Sequence, residues 1–584
     1  MSGKVAELRD IIHRNNKAES IVSMYTSFNQ QRNPWKKEVL ELRDYTFATD
    51  TTKTSNKTLP WKNSTTYPKL TQIRDNLHAN YMQSLFPNDN WLKWEGYNLQ
   101  DETRDKKEAI EGYMFNKLKE SGFISTISQL VYDYIDYGNA FGDVIFVKEE
   151  KVDPITGEII PGYIGPKLIR ISPLDIVINP SAIDFASSPK ITRSLKTIGE
   201  LKLEIGNSIE NSWMMEAINK SENLRSCARS GIYTVEDFEK ACGYSIDGFG
   251  NFREYLQSPY VEILEFEGNI HDPSTGTLLK DHVITVIDRT YVVRDEPMPS
   301  WLGKGNKAHV GWRLRPDNLY AMGPLANLVG LQYRIDHLEN LKADVFDLIA
   351  YPPLKIYGEV EEFNWGPGEE IHLDSEGSDV QMLVPETTIL SVDQQIDILE
   401  RRMEEAAGAP KQAMGIRTPG EKTAWEVQAL ENAAGRIFQE KVIDFERDFL
   451  EPILNSMLEE SRRNFDMNDV IRVLDDDLGV TKFLSITKED ITAKGKIAPV
   501  GARHFSSRAQ LLQNLSGVFG GPMGQMISPH VSTKALAKLV EDTLGLQKFD
   551  LIRDNVGIDE QAETQQLVNS YQEELEVQQS LPVA

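Results

Sequence analysis

A strongly acidic stretch lies in the second half of the chain, from Leu354 to Leu390, and Lys355 is its single Lys or Arg. Its carboxylates are Glu359, Glu361, Glu362, Glu369, Glu370, Asp374, Glu376, Asp379 and Glu386. Such a surface favours basic partners, because complementary charge speeds encounter and fixes orientation. The alternative is a solvated acidic face that has no partner.

A short basic stretch follows, from Gly408 to Lys422, with Lys411, Arg417 and Lys422 against Glu421. Lysine and arginine contact nucleic-acid phosphates without reading sequence. The sequence therefore indicates a candidate contact for a polyanion. The alternative is an ordinary connection between helices whose charges stay in water.

The sequence contains none of the common catalytic motifs. It has no G-x-x-x-x-G-K-[ST] phosphate loop, no H-E-x-x-H, no G-x-S-x-G and no C-x-x-C. The histidines show no ligand spacing, and Asp475-Asp476-Asp477 lacks the pattern of a calcium loop. We therefore expect no enzymatic activity, no cofactor and no metal.

Composition indicates a multidomain globular protein. The 584 residues suggest roughly three to five domains. No apolar run reaches the ~18 residues of a membrane helix, and the first residues lack a secretory apolar region. The two cysteines, Cys227 and Cys242, are too few for a disulfide framework and favour a reducing compartment. The net charge of −26 either keeps the protein soluble or repels DNA from a channel wall.

Two long helical segments flank the acidic stretch. In the first, which begins at Gly323-Pro324 and ends at Pro352-Pro353, apolar residues recur every three or four positions and predict one buried stripe. That stripe comprises Leu325, Leu328, Leu331, Ile335, Leu338, Leu341, Val345 and Leu348. The second opens with the capping box Thr418-Pro419-Gly420-Glu421 and runs to about Phe465. A shorter helix, 392–407, precedes it.

The second long segment has its own predicted stripe and two predicted kinks, at Gly435 and Pro452. The stripe comprises Val427, Leu430, Ala434, Ile437, Phe445, Phe449 and Ile453.

The first 320 residues predict a mixed α+β unit. Helices are expected over 7–15, 18–44, 68–86, 102–121 and 123–138, and strands over 90–95 and 168–179. One hairpin is expected from strands 144–147 and 159–164, which flank the turn 153–157, and a second over 260–293, with a helical insertion over 190–256 between them. Tyr132, Tyr134 and Tyr137 predict either a platform on which bases stack or an ordinary core stripe. Near the C-terminus, 483–498 predicts strands and the residues after 505 predict helices.

The run AMGIRTPGEKTAWEVQALENAAGRIFQEKV (413–442), in this order of elements, resembles the portal proteins of tailed bacteriophages, most closely those of short-tailed phages. The resemblance in arrangement covers about 320–465. Weaker likeness extends to RDNLHANYMQSLFPNDNWLKWEG (74–96) and SPLDIVINPSA (172–182). It implies an α+β portal-like fold in which two stem helices are joined by a clip containing β-structure.

The resemblance assigns a role to each segment. The expected parts are a wing (1–321), a first stem helix (322–350), a clip (351–390), a second stem helix (391–407), a tunnel loop (408–422), a long kinked helix returning to the wing (423–504) and a helical crown with the tail (505–584). The residues expected to face DNA are Lys411, Gln412, Arg417 and Lys422. The expected partner surface of the clip is Glu359, Glu361, Glu362, Glu369, Glu370 and Asp374.

The implied function is a ring of subunits, twelve by family likeness, at one capsid vertex. Double-stranded DNA would pass through it during packaging and ejection, and terminase, tail adaptors, major capsid protein and scaffolding protein would bind it. Such a protein resides in the virion, and in the host cytoplasm during assembly, with no membrane partner. Two alternatives stay open: a soluble oligomeric enzyme that has a helical hairpin as its oligomerisation arm, and another virion component such as a tail adaptor.

Overall fold

The computed structural model confirms an α+β protein. It describes residues 2–47, 63–87, 91–98, 104–152, 159–182, 184–205, 212–229, 259–272, 276–298, 305–358, 377, 379–383, 392–407, 437–464, 469–474, 481–486 and 488–499. The chain forms two compact units, one from 1–85 with 118–463 and the other from 86–117 with 464–584.

The helices within the described residues are given in chain order. They are α1 (Ser2–Gln31), α2 (Asn33–Phe47), α3 (Lys69–Leu85), α4 (Arg104–Glu120), α5 (Phe123–Asp136), α6 (Ile198–Ile205), α7 (Ser212–Arg229), α8 (Val329–Ala350), α9 (Asp393–Ala406), α10 (437–464) and α11 (Lys488–Ile491). A 3-10 turn, Ala326–Leu328, precedes α8.

The strands are numbered in the same way. They are β1 (Leu92–Gly96), β2 (Asn139–Val152), β3 (Ile159–Ile171), β4 (Ile176–Ile178), β5 (Lys190–Thr197), β6 (Tyr260–Asp272), β7 (Thr277–Ile287), β8 (Tyr291–Pro297), β9 (Ala308–Gly311), β10 (Arg313–Arg315), β11 (Asn318–Met322), β12 (Leu354–Tyr357), β13 (Asp379–Met382), β14 (Asp469–Leu474), β15 (Thr481–Ile486) and β16 (Gly495–Pro499).

Two antiparallel sheets form the body of the first unit. One has the strand order β4-β5-β6-β7-β8 and the other the order β3-β2-β9. The predicted hairpins are confirmed as β2–β3 and β6–β7. At the second hairpin the N–H of Gly276 donates to the carbonyl of Asp272. This turn places Gly276 at φ +66°, which glycine adopts without a steric cost.

Three sequence predictions in the first unit are wrong. α1 is continuous where two helices were expected before residue 33, and it ends at Gln31, shortly before Pro34. The expected strand over 168–179 is two strands, β3 and β4. The expected helical insertion is confirmed over α6 and α7, but its start is wrong: residues 190–197 are strand β5, which pairs with β6 over its whole length and so satisfies its backbone.

The second unit contains a strand pair that is distant in sequence. The predicted strand around Trp91 is confirmed as β1, and its partner is β16, in antiparallel register. Gly495 lies against the buried ring of Trp94, where a Cβ atom would stand 2.5 Å from ring carbon Cζ2. Only glycine fits this close approach. The predicted crown, 505–584, lies outside the described residues.

A buried charge cluster joins the two sheets of the first unit. Lys307, whose side chain is 4% exposed, places Nζ 2.6 Å from Glu265 and 2.9 Å from Glu267 on β6, and 3.4 Å from Asp143 on β2. Burial, with help from the two glutamates, raises the pKa of Asp143 to about 6. The nearby Lys307 ammonium lowers the pKa of Glu265. Ionisation of Asp143 therefore lowers the stability of the fold, whereas ionisation of Glu265 raises it.

We predict that Asp143→Asn stabilises the protein at neutral pH. The pKa of Asp143 rises from 3.8 to about 6 on folding, so wild-type stability falls as pH rises through that window. Relative to wild type, the variant should gain on the order of 1–3 kcal/mol between acid and neutral pH, measured by urea unfolding at both. Glu265→Gln is the matched control. Because the pKa of Glu265 is lowered, its replacement should cost more at neutral than at acid pH. An Asp143→Asn effect that does not change with pH would contradict the assignment.

Candidate functional site

The residues predicted to contact partners fall outside the described residues. This applies to Lys411, Gln412, Arg417 and Lys422 and to Glu359, Glu361, Glu362, Glu369, Glu370 and Asp374. The structure instead describes the elements that flank them, which are α8, the ribbon β12–β13, α9 and α10. These elements define the geometry of the candidate site.

Helix α8 leads into a small β-ribbon. The helix ends at Ala350, as the prolines at 352 and 353 predict, since proline cannot donate to the helix ladder. β12 and β13 then pair antiparallel, from Leu354 opposite Met382 to Tyr357 opposite Asp379. The ribbon and the end of α8 expose apolar side chains: Phe346, Leu348, Tyr351, Ile356, Tyr357, Met382 and Leu383.

Helix α9 packs against α8 and against the 3-10 turn that precedes α8. Its buried residues Ile396, Leu399 and Met403 recur at intervals of three and four, which places them on one helix face. At the N-terminal end of α9, Asp393 accepts from Lys342 of α8 at 2.5 Å. The two helices therefore form a hairpin with the β-ribbon between them in sequence.

The buried face of α8 is largely polar, so the predicted apolar stripe is only partly correct. Gln332, Asp336 and Asn340 are fully buried, together with Ile335 and Val345. Leu328 and Leu325 are also buried, whereas Leu331, Leu338 and Leu341 are half-buried and Leu348 is exposed. The recurrence of polar residues every four positions was a signal in the sequence that the apolar pattern concealed.

The polar face of α8 binds an extended segment, residues 63–67, which we name the strap. Asp344, Asn340 and Asp336 accept hydrogen bonds from the backbone N–H groups of Asn63, Thr65 and Tyr67 at 2.9, 3.0 and 2.9 Å. Four helical residues rise ~6 Å and two extended residues span ~6.6 Å, so alternate strap residues match successive helix turns.

The same helix also satisfies strap carbonyl groups. The Asn340 amide donates to the carbonyl of Thr65 at 3.0 Å, and the Gln332 amide donates to the carbonyl of Tyr67 at 2.6 Å. At Thr65, Asn340 thus replaces both hydrogen bonds that a neighbouring strand would supply. The side chains of α8 therefore bind the backbone of the strap at alternate residues.

Lys69, at the start of α3, ties the end of the strap to α9. Its side chain is 3% exposed, and its ammonium lies 2.8 Å from Glu404 and 2.9 Å from Glu400. Burial alone would lower the pKa of Lys69, but the hydrogen bonds to the two carboxylates outweigh it and raise that pKa. Burial and the same Glu400 raise the pKa of the Tyr67 phenol.

The long helix α10 shows its predicted stripe only in part. Phe445, Phe449 and Ile453 are buried as predicted, whereas Ile437 is 52% exposed. A π-helical stretch, Glu446–Leu450, interrupts the helix directly before Pro452, where the missing proline N–H cannot support an ordinary turn. Val427, Leu430, Ala434 and Gly435 lie outside the described residues.

The tyrosines of α5 belong to the core and not to a platform for bases. The Tyr132 ring stacks on His78 at 3.7 Å between centroids, and the Arg74 guanidinium lies 4.0 Å from the same centroid. Two groups at that distance cannot share one face, so both faces of the ring are covered. Tyr134 is fully buried and meets Phe445 edge to face.

Comparison with known proteins yields no relative: no family model matches the chain, and no curated protein matches it. Within the described residues, no helix is long and apolar enough to cross a membrane. The part of the chain described by the structure also holds no group of three or more His, Cys, Asp or Glu residues that could bind a metal ion.

We predict that Asn340→Ala destabilises the protein by about 1–3 kcal/mol, because it removes a fully buried amide that hydrogen-bonds both the N–H and the C=O of Thr65. Urea unfolding measures the loss. Arg334→Ala, at an exposed position of the same helix, is the matched control and should change stability by less than about 0.5 kcal/mol. Equal effects of the two substitutions would show that the strap contributes little.

Proposed function

We propose that the chain is the subunit of a phage portal, a ring at one capsid vertex through which double-stranded DNA enters and leaves. The observation that carries the proposal is the order of elements after the α+β body. A helix (α8), a β-ribbon (β12–β13), a second helix packed on the first (α9) and a long interrupted helix (α10) follow one another. The likeness of the run 413–442 to portal proteins supports the same interpretation.

In this proposal α8 and α9 are the stem, and the ribbon with the acidic residues around it is the clip. The exposed apolar side chains at the end of α8 and on the ribbon suit burial against neighbouring subunits, since exposed apolar patches mark interaction sites. The clip carboxylates, Glu359, Glu361, Glu362, Glu369, Glu370 and Asp374, suit basic surfaces of terminase and tail adaptors.

The proposed mechanism is mechanical and electrostatic, with no catalytic step. A chain of net charge −26 does not grip DNA by neutralising phosphates along its whole surface. An acidic wall would let a polyanion slide, and Lys411, Gln412, Arg417 and Lys422 would supply a local contact in the tunnel loop. Terminase would provide the energy, and capsid and scaffolding proteins would surround the ring.

We predict rings of about twelve subunits, with a channel wide enough for a DNA duplex, since closed cyclic symmetry generates such a hole. Negative-stain electron microscopy with light scattering on the purified full chain measures both. Because assembly could require scaffolding protein, the same measurement is repeated with that protein present. A compact small oligomer without a hole in both samples would reject the portal and favour the oligomeric enzyme.

For DNA transport, we predict that Lys411→Ala with Arg417→Ala leaves rings intact and alters packaging or retention of DNA. The physical reason is loss of the local phosphate contacts while the stem is unchanged. The matched control is Arg401→Ala with Arg402→Ala, which removes two exposed cations from α9. Packaging assays on both double variants measure the effect. Equal packaging by the tunnel-loop variant and wild type would remove the proposed role of Lys411 and Arg417.

A further inference from the structure

The C-terminal end of α9 is fixed by a buried ion pair. Glu404 and Ala407 are buried there, and α9 packs against the 3-10 turn Ala326–Leu328. Lys69 of α3 reaches both Glu400 and Glu404, at 2.9 and 2.8 Å. Hydrogen bonds between buried charged groups are directional, and removal of one partner strands a charge away from water. This end of α9 therefore has one strongly preferred position.

The N-terminal end of α9 is attached differently. Asp393 is 64% exposed and pairs with Lys342 of α8. An ion pair open to water contributes little, and salt screens it. Along the helix, Ile396, Leu399 and Met403 supply apolar contacts, which stabilise packing without fixing direction.

We propose that α9 pivots about Lys69, so that its C-terminal end stays fixed while its N-terminal end moves relative to α8. Lys69 is then a positioning residue that sets the orientation of α9 through Glu400 and Glu404. The strap strengthens this arrangement, because it bonds along α8 from Asp336 to Asp344 and so holds α8 to the segment that carries Lys69.

The pivot has a direction along the chain. The moving end of α9 follows the β12–β13 ribbon in sequence, whereas the fixed end precedes residue 408. Motion of α9 is therefore largest at the end that follows the ribbon in sequence. In a portal this would be the clip side of the stem, but the pivot is a property of one chain and does not depend on ring formation.

Distances between paired spin labels test the pivot on the full chain. One label is placed at Leu195, which is exposed on β5, and the second at Gln394 or Arg402, exposed near the two ends of α9. Cys227 and Cys242 are replaced by serine so that only the introduced cysteines react. Labelled chains are diluted with unlabelled chains, so the result is the same whether or not rings form.

The distance distribution for Gln394→Cys should be about twofold wider than that for Arg402→Cys, as expected for a weakly held end. High salt should widen the former and leave the latter unchanged. Equal widths in the two samples would overturn the pivot, and this comparison requires no change at Lys69.

Substitution of Lys69 tests its positioning role. Lys69→Met keeps the length of the side chain and removes its charge, so the Arg402→Cys distribution should widen by about twofold. Lys69→Arg keeps the charge, so the Arg402→Cys distribution in this variant should be narrow again. If Lys69→Met acted only by disturbing the local packing, Lys69→Arg would not restore the narrow distribution. A Lys69→Met variant that keeps the narrow distribution would show that the apolar contacts alone hold this end of α9.

Discussion

A buried polar side chain must find hydrogen-bond partners, and this requirement organises the helical hairpin. The strap satisfies its N–H and C=O groups with the side chains of α8. Gln332, Asp336 and Asn340 are fully buried on one face of α8, and the backbone of the strap supplies hydrogen bonds to them. The leucines beside that face are consequently only half-buried in one chain. The hairpin thus leaves apolar side chains partly exposed.

Charge is arranged by the same rule. A buried charge needs a partner of opposite sign, and Lys69, Lys190 and Lys307 each lie within 3.5 Å of a buried carboxylate. Lys307 joins the two sheets through Asp143, Glu265 and Glu267, and Lys69 joins α3 to α9. On α5, Asp133 pairs with Arg170 at 2.5 Å, although burial raises its pKa to about 6. Ion pairs therefore connect elements that are far apart in sequence.

The proposed portal function makes opposite demands on the two ends of the hairpin. A conduit needs a rigid body that keeps its subunits in register, and it needs a distal end that can meet several partners in turn. Among the described residues, the buried ion pair of Lys69 lies at the C-terminal end of α9, and Phe445 makes aromatic contacts with Tyr134 and Phe449. The exposed contacts lie toward the ribbon. This gradient is the physical link between the fold and the proposed mechanism.

The sequence by itself determined the α+β class, the end of α8 before its prolines, the β2–β3 and β6–β7 hairpins, and the interruption of α10 near Pro452. Each follows from local chemistry, such as a missing N–H, a turn glycine or a change of period. Only the tertiary structure decided that β5 is a strand, that Tyr132 lies between Arg74 and His78, and that α8 turns a polar face inward. These outcomes depend on β6, α3 and the strap, partners distant in sequence, whose hydrogen bonds and contacts override local preference.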